Sequence, residues 1–320
     1  MTLKISVLGN GFMGKKHIEA IKKTDGFILA GIIDSSSEDA NPLQKFYTTL
    51  AEFLNNDTDT DVVVIATPNY LHFEQAKKLI QHGYHVIIEK PFCMTSREAN
   101  ELEKTAEENG KAVFLIMQNR FSGVSKWLKD TVDSGILGNI YMVNVNCYWN
   151  RNENYYVTKG WKGTKQKDGG ILYTQFSHFV DLLIWLFGKP ENLYSQIRTL
   201  RHKDLIEIED TGLVTFNLKN NAVGSIAFTT AVYEKSMESS MTIIAENGTV
   251  KIGGQYFDEL QYCNIRNLET PSGFFKTSNL ENLLELYSNI ALSLKLNKKP
   301  DLTEGKLLIS FLEDVYRTEK

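Results

Sequence analysis

The segment Gly9-Asn10-Gly11-Phe12-Met13-Gly14 joins a short apolar strand over Lys4–Leu8 to a helical stretch over Met13–Lys22, and few folds place such a turn there. Three glycines at this spacing do different work. Gly9 permits a tight turn, Gly11 lets the backbone approach a pyrophosphate, and Gly14 lets helix and strand pack closely. Phosphates then rest on a helix N-terminus, where unpaired N–H groups gather, with Phe12 and Met13 in the same cradle. An ordinary glycine turn has the same pattern; the position between a first strand and a first helix argues for the nucleotide reading.

The next segments keep a βα rhythm. Strands are expected at Phe27–Ile33, Val62–Ala66, His85–Glu89 and Ala112–Met117, with helices at Asn69–Gln81 and Ser96–Asn109. The run Val62-Val63-Val64-Ile65-Ala66 is β-branched and continuous, as strands buried on both faces of a parallel sheet are. Right-handed crossovers then build a doubly wound α/β sheet. After Asn119 strands follow one another at Ile140–Trp149, Leu193–Thr199, Thr211–Phe216, Ala222–Val232 and Ser239–Ala245, with Asn220-Asn221 as a hairpin turn. One helix, Gly170–Phe187, interrupts them, and Asn279–Leu296 and Glu304–Thr318 close the chain as amphipathic helices. The expected division is a nucleotide-binding domain over 1–118 and an α+β domain with a large, mostly antiparallel open sheet over 119–320. A length of 320 residues fits two cores better than one.

A formal net charge of -4 argues against a phosphate-neutralising surface, so no nucleic acid is expected. No apolar run approaches the roughly 20 residues that span a bilayer, and the chain starts on a strand without a signal-peptide pattern. No membrane association and a cytoplasmic location are the expectations. Cys93, Cys147 and Cys263 are odd in number and widely spaced, which fits reduced thiols rather than a disulfide framework or a metal site.

Asp34 follows the second strand, 20 residues after Gly14, where a carboxylate accepts hydrogen bonds from ribose hydroxyls and repels a 2'-phosphate. This selects NAD over NADP; capping the turn through Ser35-Ser36-Ser37 is the alternative. Thr67-Pro68 turns the chain over the nicotinamide side, since Pro68 has no backbone donor. At Glu89-Lys90-Pro91 the strand delivers Lys90 to the carboxyl edge, placed to hydrogen-bond a substrate hydroxyl and stabilise a developing oxyanion. A solvated strand-end charge is the competing reading. Thr174, His178 and Asp181 fall at i, i+4 and i+7, one face of the expected helix, with His178 a candidate general base and Asp181 its orienting partner. From Arg151 to Lys167 stand Arg151, Lys159, Lys162, Lys165 and Lys167 against Glu153 alone, a local balance of +4. Tyr148, Trp149, Tyr155, Tyr156 and Trp161 are interleaved with them. The segment suits an anionic substrate bearing a base or sugar ring, or equally a solvated loop with aromatics at a subunit interface.

These residues resemble the glucose-fructose oxidoreductase, inositol dehydrogenase and rhizopine catabolism (Gfo/Idh/MocA) family over essentially the whole chain. The resemblance rests on the opening glycine motif, Ala66-Thr67-Pro68 with His72, Gly83-Tyr84-His85-Val86 leading into Glu89-Lys90-Pro91, Gly169-Gly170 with His178 and Asp181, and Glu209-Asp210-Thr211. It implies an N-terminal Rossmann domain, an open sheet used for homodimer or homotetramer assembly, bound NAD and a catalytic lysine at Lys90. His72, Glu89 and Lys90 join the cofactor residues on that basis. Gln118-Asn119-Arg120-Phe121, Tyr148-Trp149-Asn150-Arg151, Tyr155-Tyr156, Trp161-Lys162-Gly163-Thr164 and Asp168-Gly169-Gly170 look like the branch that oxidises C3 of UDP-N-acetylglucosaminuronate and its relatives for surface polysaccharides. That likeness implies a nucleotide-sugar substrate held by Lys90, Arg120, Arg151, Tyr156, Trp161, Lys162, Thr174, Gln175 and His178. An inositol or simple-sugar dehydrogenase is the alternative. One departure stands out: many members carry Asp where this chain has Thr174, which cannot accept a proton at neutral pH. Catalysis would then fall to Lys90 and His178, and a non-catalytic NAD-binding sensor is the third reading.

Overall fold

The computed structural model describes residues 2–36, 45–157, 160–269, 271 and 277–318. In chain order its first unit contains β1 (Leu3–Leu8), α1 (Phe12–Lys23), β2 (Phe27–Ile33), β3 (Lys45–Tyr47), α2 (Leu50–Asn56), β4 (Val62–Ile65), α3 (His72–Gln81), β5 (His85–Ile88), α4 (Ser96–Glu108) and β6 (Val113–Leu115). The six strands form one sheet in the order β3-β2-β1-β4-β5-β6, every neighbouring pair parallel. Val62, Val63, Val64 and Ile65 are all fully buried, as a strand covered by helices on both faces must be. The order reverses direction between β1 and β4, and ligands of open α/β sheets bind at such a switch point.

Register decides what stands at that edge. Leu8 pairs with Ile33 and with Ile65, and Ile65 pairs with Ile88, so four strands end on one row. The next residues along each strand are Gly9, Asp34, Ala66 and Glu89. The glycine turn, the acidic residue, the Thr67-Pro68 turn and the approach to Lys90 are thus neighbours on one carboxyl edge.

The second unit carries α5 (Gly123–Asp133), β7 (Ile140–Tyr148), α6 (Glu153–Val157), α7 (Lys165–Asp168), α8 (Ile171–Thr174), α9 (Ser177–Phe187), β8 (Glu191–Arg198), β9 (Thr211–Asn217), β10 (Val223–Thr229), β11 (Glu238–Ala245), β12 (Gly248–Gly253) and β13 (Glu259–Ile265). Its seven strands run β13-β12-β11-β7-β10-β9-β8; β7 and β10 are parallel and the other pairs antiparallel. Alternation gives two different faces. Val143, Val145, Val214, Phe216, Ile226, Phe228, Met241 and Ile243 are buried, whereas Met142, Leu213 and Val223 are exposed. Asn221, at φ +62, makes the turn between β9 and β10.

Two expectations need correction. The single helix over Gly170–Phe187 is broken: α8 stops at Thr174, α9 starts at Ser177, and the segments Lys165–Thr174 and Ser177–Phe187 meet at 55°. Phe176, at φ -113 and ψ 3, is fully buried, its ring 5.2 Å from Trp149 and 6.3 Å from Phe228. Seating that ring in the core outweighs helical continuity, so Thr174 does not share a helix with His178 and Asp181. The second concerns the extent of the domain expected over 119–320; the division between Gln118 and Asn119 itself is where the two units part. Residues 280–306, containing most of α10 (Asn279–Lys295), group with residues 1–118, and the second unit resumes at Leu307 within α11 (Thr303–Arg317). α10 buries Tyr287 edge-on against Phe27 and His17, a contact that local periodicity does not encode.

In the second unit Asp210 is fully buried and accepts backbone hydrogen bonds from Leu200, Arg201 and His202 and one from the Thr211 hydroxyl. Burial opposes its ionisation, yet these donors hold its carboxyl below the ordinary value. Asp210→Ala orphans this set of donors and is expected to cost about 2 kcal/mol of unfolding free energy, read from urea titrations.

Candidate active site

In the first unit the glycine turn is shaped by two contacts and one gap. Gly9 sits at φ +98, and a Cβ there would lie 2.7 Å from the Ala66 carbonyl oxygen. A Cβ on Gly14 would come within 1.8 Å of the Gly9 carbonyl oxygen. At Gly11 a Cβ would meet nothing within 4 Å, so the space in front of that residue is open. α1 begins there with no side-chain cap and no acidic residue in its first turn, which leaves its leading N–H groups suited to an anion. Phe12 is 70% exposed, with the Lys16 ammonium 4.5 Å from its ring centroid, and Met13 is half-buried.

Asp34 is tied to this turn: Oδ2 accepts from the Asn10 N–H at 2.6 Å and Oδ1 from the Ser36 N–H at 2.9 Å. A carboxylate has about four acceptor sites, so capacity remains for ribose hydroxyls. Ser37, part of the capping alternative, lies outside the described residues. The Thr67 hydroxyl donates to Gln75, and His72 is buried with Nε2 2.8 Å from the Thr67 carbonyl oxygen and Nδ1 2.8 Å from that of Pro91. Burial lowers the pKa of His72, and a neutral ring donates to one of these carbonyls at a time. His72 therefore clamps the Thr67-Pro68 turn to the Lys90-Pro91 turn. Glu89 is likewise buried: Oε1 lies 2.9 Å from His17 Nε2, and Oε2 accepts from the Lys90 N–H at 3.0 Å. Lys90 is half-buried, and its peptide bond to Pro91 is cis.

In the second unit Arg120 donates through Nε at 2.7 Å and Nη2 at 2.5 Å to the two oxygens of Asp181, a bidentate pair on an almost fully buried carboxylate. Asp181 thus pairs with Arg120. His178 is buried one turn earlier on α9. Arg151 donates to Gln175 Oε1 at 2.8 Å and lies 4.8 Å from the Trp149 ring and 5.0 Å from the Tyr155 ring. Gln175 in turn donates to the Tyr155 hydroxyl, and the Lys162 ammonium sits 3.4 Å from the Tyr155 ring centroid. The aromatic faces of the basic segment are therefore partly covered by its own cations. Tyr156 is buried, its hydroxyl 3.0 Å from Thr230 Oγ1, and burial pushes its pKa up to about 12. Trp161 is half-buried at the turn closed by the Thr164 hydroxyl. Lys159 lies outside the described residues.

The departure at Thr174 has a structural answer. Its hydroxyl contacts both the Asp168 carboxylate and the Gly170 carbonyl oxygen, and the other Asp168 oxygen accepts from the Gly163 N–H at 2.7 Å. A buried carboxylate thus stands directly beside Thr174. Glu209 braces the same loop, its Oε1 accepting from the Ile171 N–H at 2.8 Å and the Tyr316 hydroxyl at 2.6 Å. Burial pushes the Glu209 carboxyl up to about 7. The spacing of chemical groups singles out none of Asp168, Glu209 and His17 for a role. A polar side chain on the buried stripe Gly14, His17, Ala20, Ile21 was the available signal.

Two family models match the chain: the oxidoreductase family with an NAD-binding Rossmann fold over residues 3–117, and the GFO/IDH/MocA C-terminal domain over 126–251. The chain belongs to this family. Among solved structures it is similar to the WlbA dehydrogenase of Bordetella pertussis in complex with NADH and UDP-GlcNAcA, at 31% identity and TM-score 0.92, covering 99% of this chain and 95% of that one. Curated relatives include the uncharacterized oxidoreductase sll0816 of Synechocystis, 28% identical over 78% of this chain and 71% of the relative. Another is the scyllo-inositol 2-dehydrogenase (NADP(+)) IolW of Bacillus subtilis, 29% identical over 62% of this chain. The match to IolW spans 56% of that relative's own length. As a family member the protein is an NAD-dependent oxidoreductase, and the open space at Gly11, the uncapped start of α1 and the Asp34 carboxylate fit that cofactor.

Gly11→Ala is expected to leave the melting temperature within about 2 °C while weakening NAD binding at least tenfold by calorimetry, because its methyl group meets ligand space alone. Gly14→Ala, by contrast, should lower the melting temperature outright. Glu209 gives a pH signature. Its folded pKa of about 7 lies above the unfolded value near 4.5, so the stability it contributes is complete below about pH 4.5 and is lost as pH rises through 7. Glu209→Gln, permanently neutral, should gain on the wild type across that window by up to about 3 kcal/mol, measured as paired unfolding curves at pH 5 and pH 8.

Proposed function

We propose that the protein oxidises a ring hydroxyl of an anionic nucleotide sugar, C3 of UDP-N-acetylglucosaminuronate or a close relative being the preferred target. The observation that carries this reading is the likeness over 99% of the chain to an enzyme crystallised with NADH and UDP-GlcNAcA. The +4 segment supports it, since a pyrophosphate and a uronate carboxylate need fixed cations. Arg151 is held by Gln175 and two aromatic rings, which presents its guanidinium in one orientation.

Bound NAD supplies the hydride acceptor. Lys90 binds the reacting hydroxyl and stabilises negative charge on its oxygen as the C–H bond breaks. His178 accepts the hydroxyl proton, an effect worth roughly 10²- to 10⁴-fold in rate. Asp181 neutralises Arg120 within the same unit, so the pair orients donors without adding net charge. Gln175, Thr174 and Lys162 bind the sugar portion, and Tyr156 and Trp161 shape the wall. The ketone so formed suits an aminotransferase, which places the enzyme in the synthesis of surface-polysaccharide sugars in the cytoplasm. Among the described residues no single helix is long and apolar enough to cross a membrane. The outer strand face, where Met142, Leu213 and Val223 are exposed, favours a homodimer or homotetramer.

Incubation with NAD and UDP-N-acetylglucosaminuronate should yield a ketone two mass units lighter, sought by mass spectrometry both directly and as its carbonyl-trapped adduct. Lys90→Ala and His178→Ala should each cut its rate at least 100-fold while leaving NAD affinity within about threefold. Oxidation of free inositol in preference to the nucleotide sugar would favour the second reading, to which the likeness to a scyllo-inositol dehydrogenase gives some support. NAD binding with turnover of neither substrate would leave the sensor.

A further inference from the structure

The first unit contains a buried polar chain that the proposed chemistry does not use. The Tyr287 hydroxyl on α10 lies 2.9 Å from His17 Nδ1 on α1, and His17 Nε2 lies 2.9 Å from Glu89 Oε1 at the end of β5. The second oxygen of Glu89 accepts the Lys90 N–H at 3.0 Å. Tyr287 and His17 are fully buried and Glu89 is 4% exposed. Three polar groups sealed from water in sequence are costly unless every proton has a defined place.

Proton counting gives one arrangement. Burial and the nearby Glu89 charge push the Tyr287 phenol well up, so it keeps its proton and is able to donate it to His17 Nδ1. His17 Nδ1 then accepts, which leaves the ring hydrogen on Nε2, directed at the Glu89 carboxylate. The two oxygens of Glu89 lie against the imidazole and the peptide N–H of the very next residue, respectively. Three elements far apart in sequence are linked through it.

We infer that Tyr287 and His17 are positioning residues that act through Glu89 to fix the backbone of Lys90. The inference rests on the role proposed for Lys90 but concerns its placement, which is measurable without substrate. Tyr287→Phe removes one hydroxyl and keeps the ring packed edge-on against Phe27 at 5.9 Å. In the unliganded protein the Lys90 amide should exchange with solvent at least tenfold faster in this variant, while the amides of Val86, Ile87 and Ile88 stay within twofold. His17 should show the Nε2–H tautomer in wild-type ¹⁵N spectra and lose it in Tyr287→Phe. With NAD and UDP-N-acetylglucosaminuronate, kcat should fall about tenfold with KM and NAD affinity little changed.

Unaltered Lys90 exchange, uniform acceleration along β5, or an Nδ1–H tautomer in the wild type overturns the inference, as does an unchanged kcat. His17→Gln, which keeps a donor toward Glu89, should retain more protection at Lys90 than His17→Ala, and equal loss in both also counts against it. Lys90→Ala run beside these variants separates the two ideas: full turnover in Lys90→Ala rejects the role of the lysine, whereas a dead Lys90→Ala with a normal Tyr287→Phe rejects only the relay.

Discussion

Four parallel strands that stop on one row, at Ile33, Leu8, Ile65 and Ile88, are the constraint behind the nucleotide-binding edge of the first unit. Strand spacing of about 4.8 Å then fixes how far apart the following residues can be, whatever the intervening helices do. Gly9 can turn only because no Cβ stands against Ala66, and Gly14 can follow only because no Cβ stands against Gly9. The turn is therefore as rigid as the sheet that carries it. A rigid turn binds an anion at less entropic cost than a loop that must first be ordered.

The helix-borne part of the site obeys different rules. Fixed spacing on one helix would have set Thr174, His178 and Asp181 in a line, but burial of Phe176 breaks the helix and leaves Thr174 on a different segment from the other two. Thr174 turns to Asp168, and Asp181 turns to Arg120. Asp168, six residues before Thr174, is brought close to its hydroxyl by the tight course through Gly169 at φ +80 and Gly170 at φ +126. A Cβ at Gly170 would collide with the Tyr316 hydroxyl, so that glycine is required by the same contacts that brace Glu209.

Features governed by near neighbours along the chain were legible. The strand Phe27–Ile33, the glycine turn, the start of α4 at Ser96, the change of architecture near Asn119 and the turn at Asn220-Asn221 follow from period, branching and turn chemistry, and the family motifs named the cofactor. Contacts between distant segments were not. Nothing in the local pattern of 280–306 says that it returns to the first unit, and the pairing of Tyr287 with His17 spans 270 positions. β12, β13 and α5 were missed as well. β13 keeps little apolar alternation because most of its residues are at least partly exposed, and α5 begins within the segment read as a change of domain.

The basic segment shows why composition alone overstates a binding surface. Counted as charges, five cations against one acid describe an open anion site with aromatic platforms. In the folded chain Lys162 and Arg151 lie over Tyr155, and Arg151 is held by Gln175. A guanidinium immobilised this way loses little further rotamer freedom when it meets a phosphate, whereas a mobile lysine would lose about 2 kcal/mol. The same contacts that remove the rings as stacking surfaces thus make the cations better anion ligands. If the substrate is the nucleotide sugar proposed above, its recognition should therefore depend more on phosphate and carboxylate than on the base, so that exchanging uridine for another base costs less than exchanging the uronate for a neutral sugar.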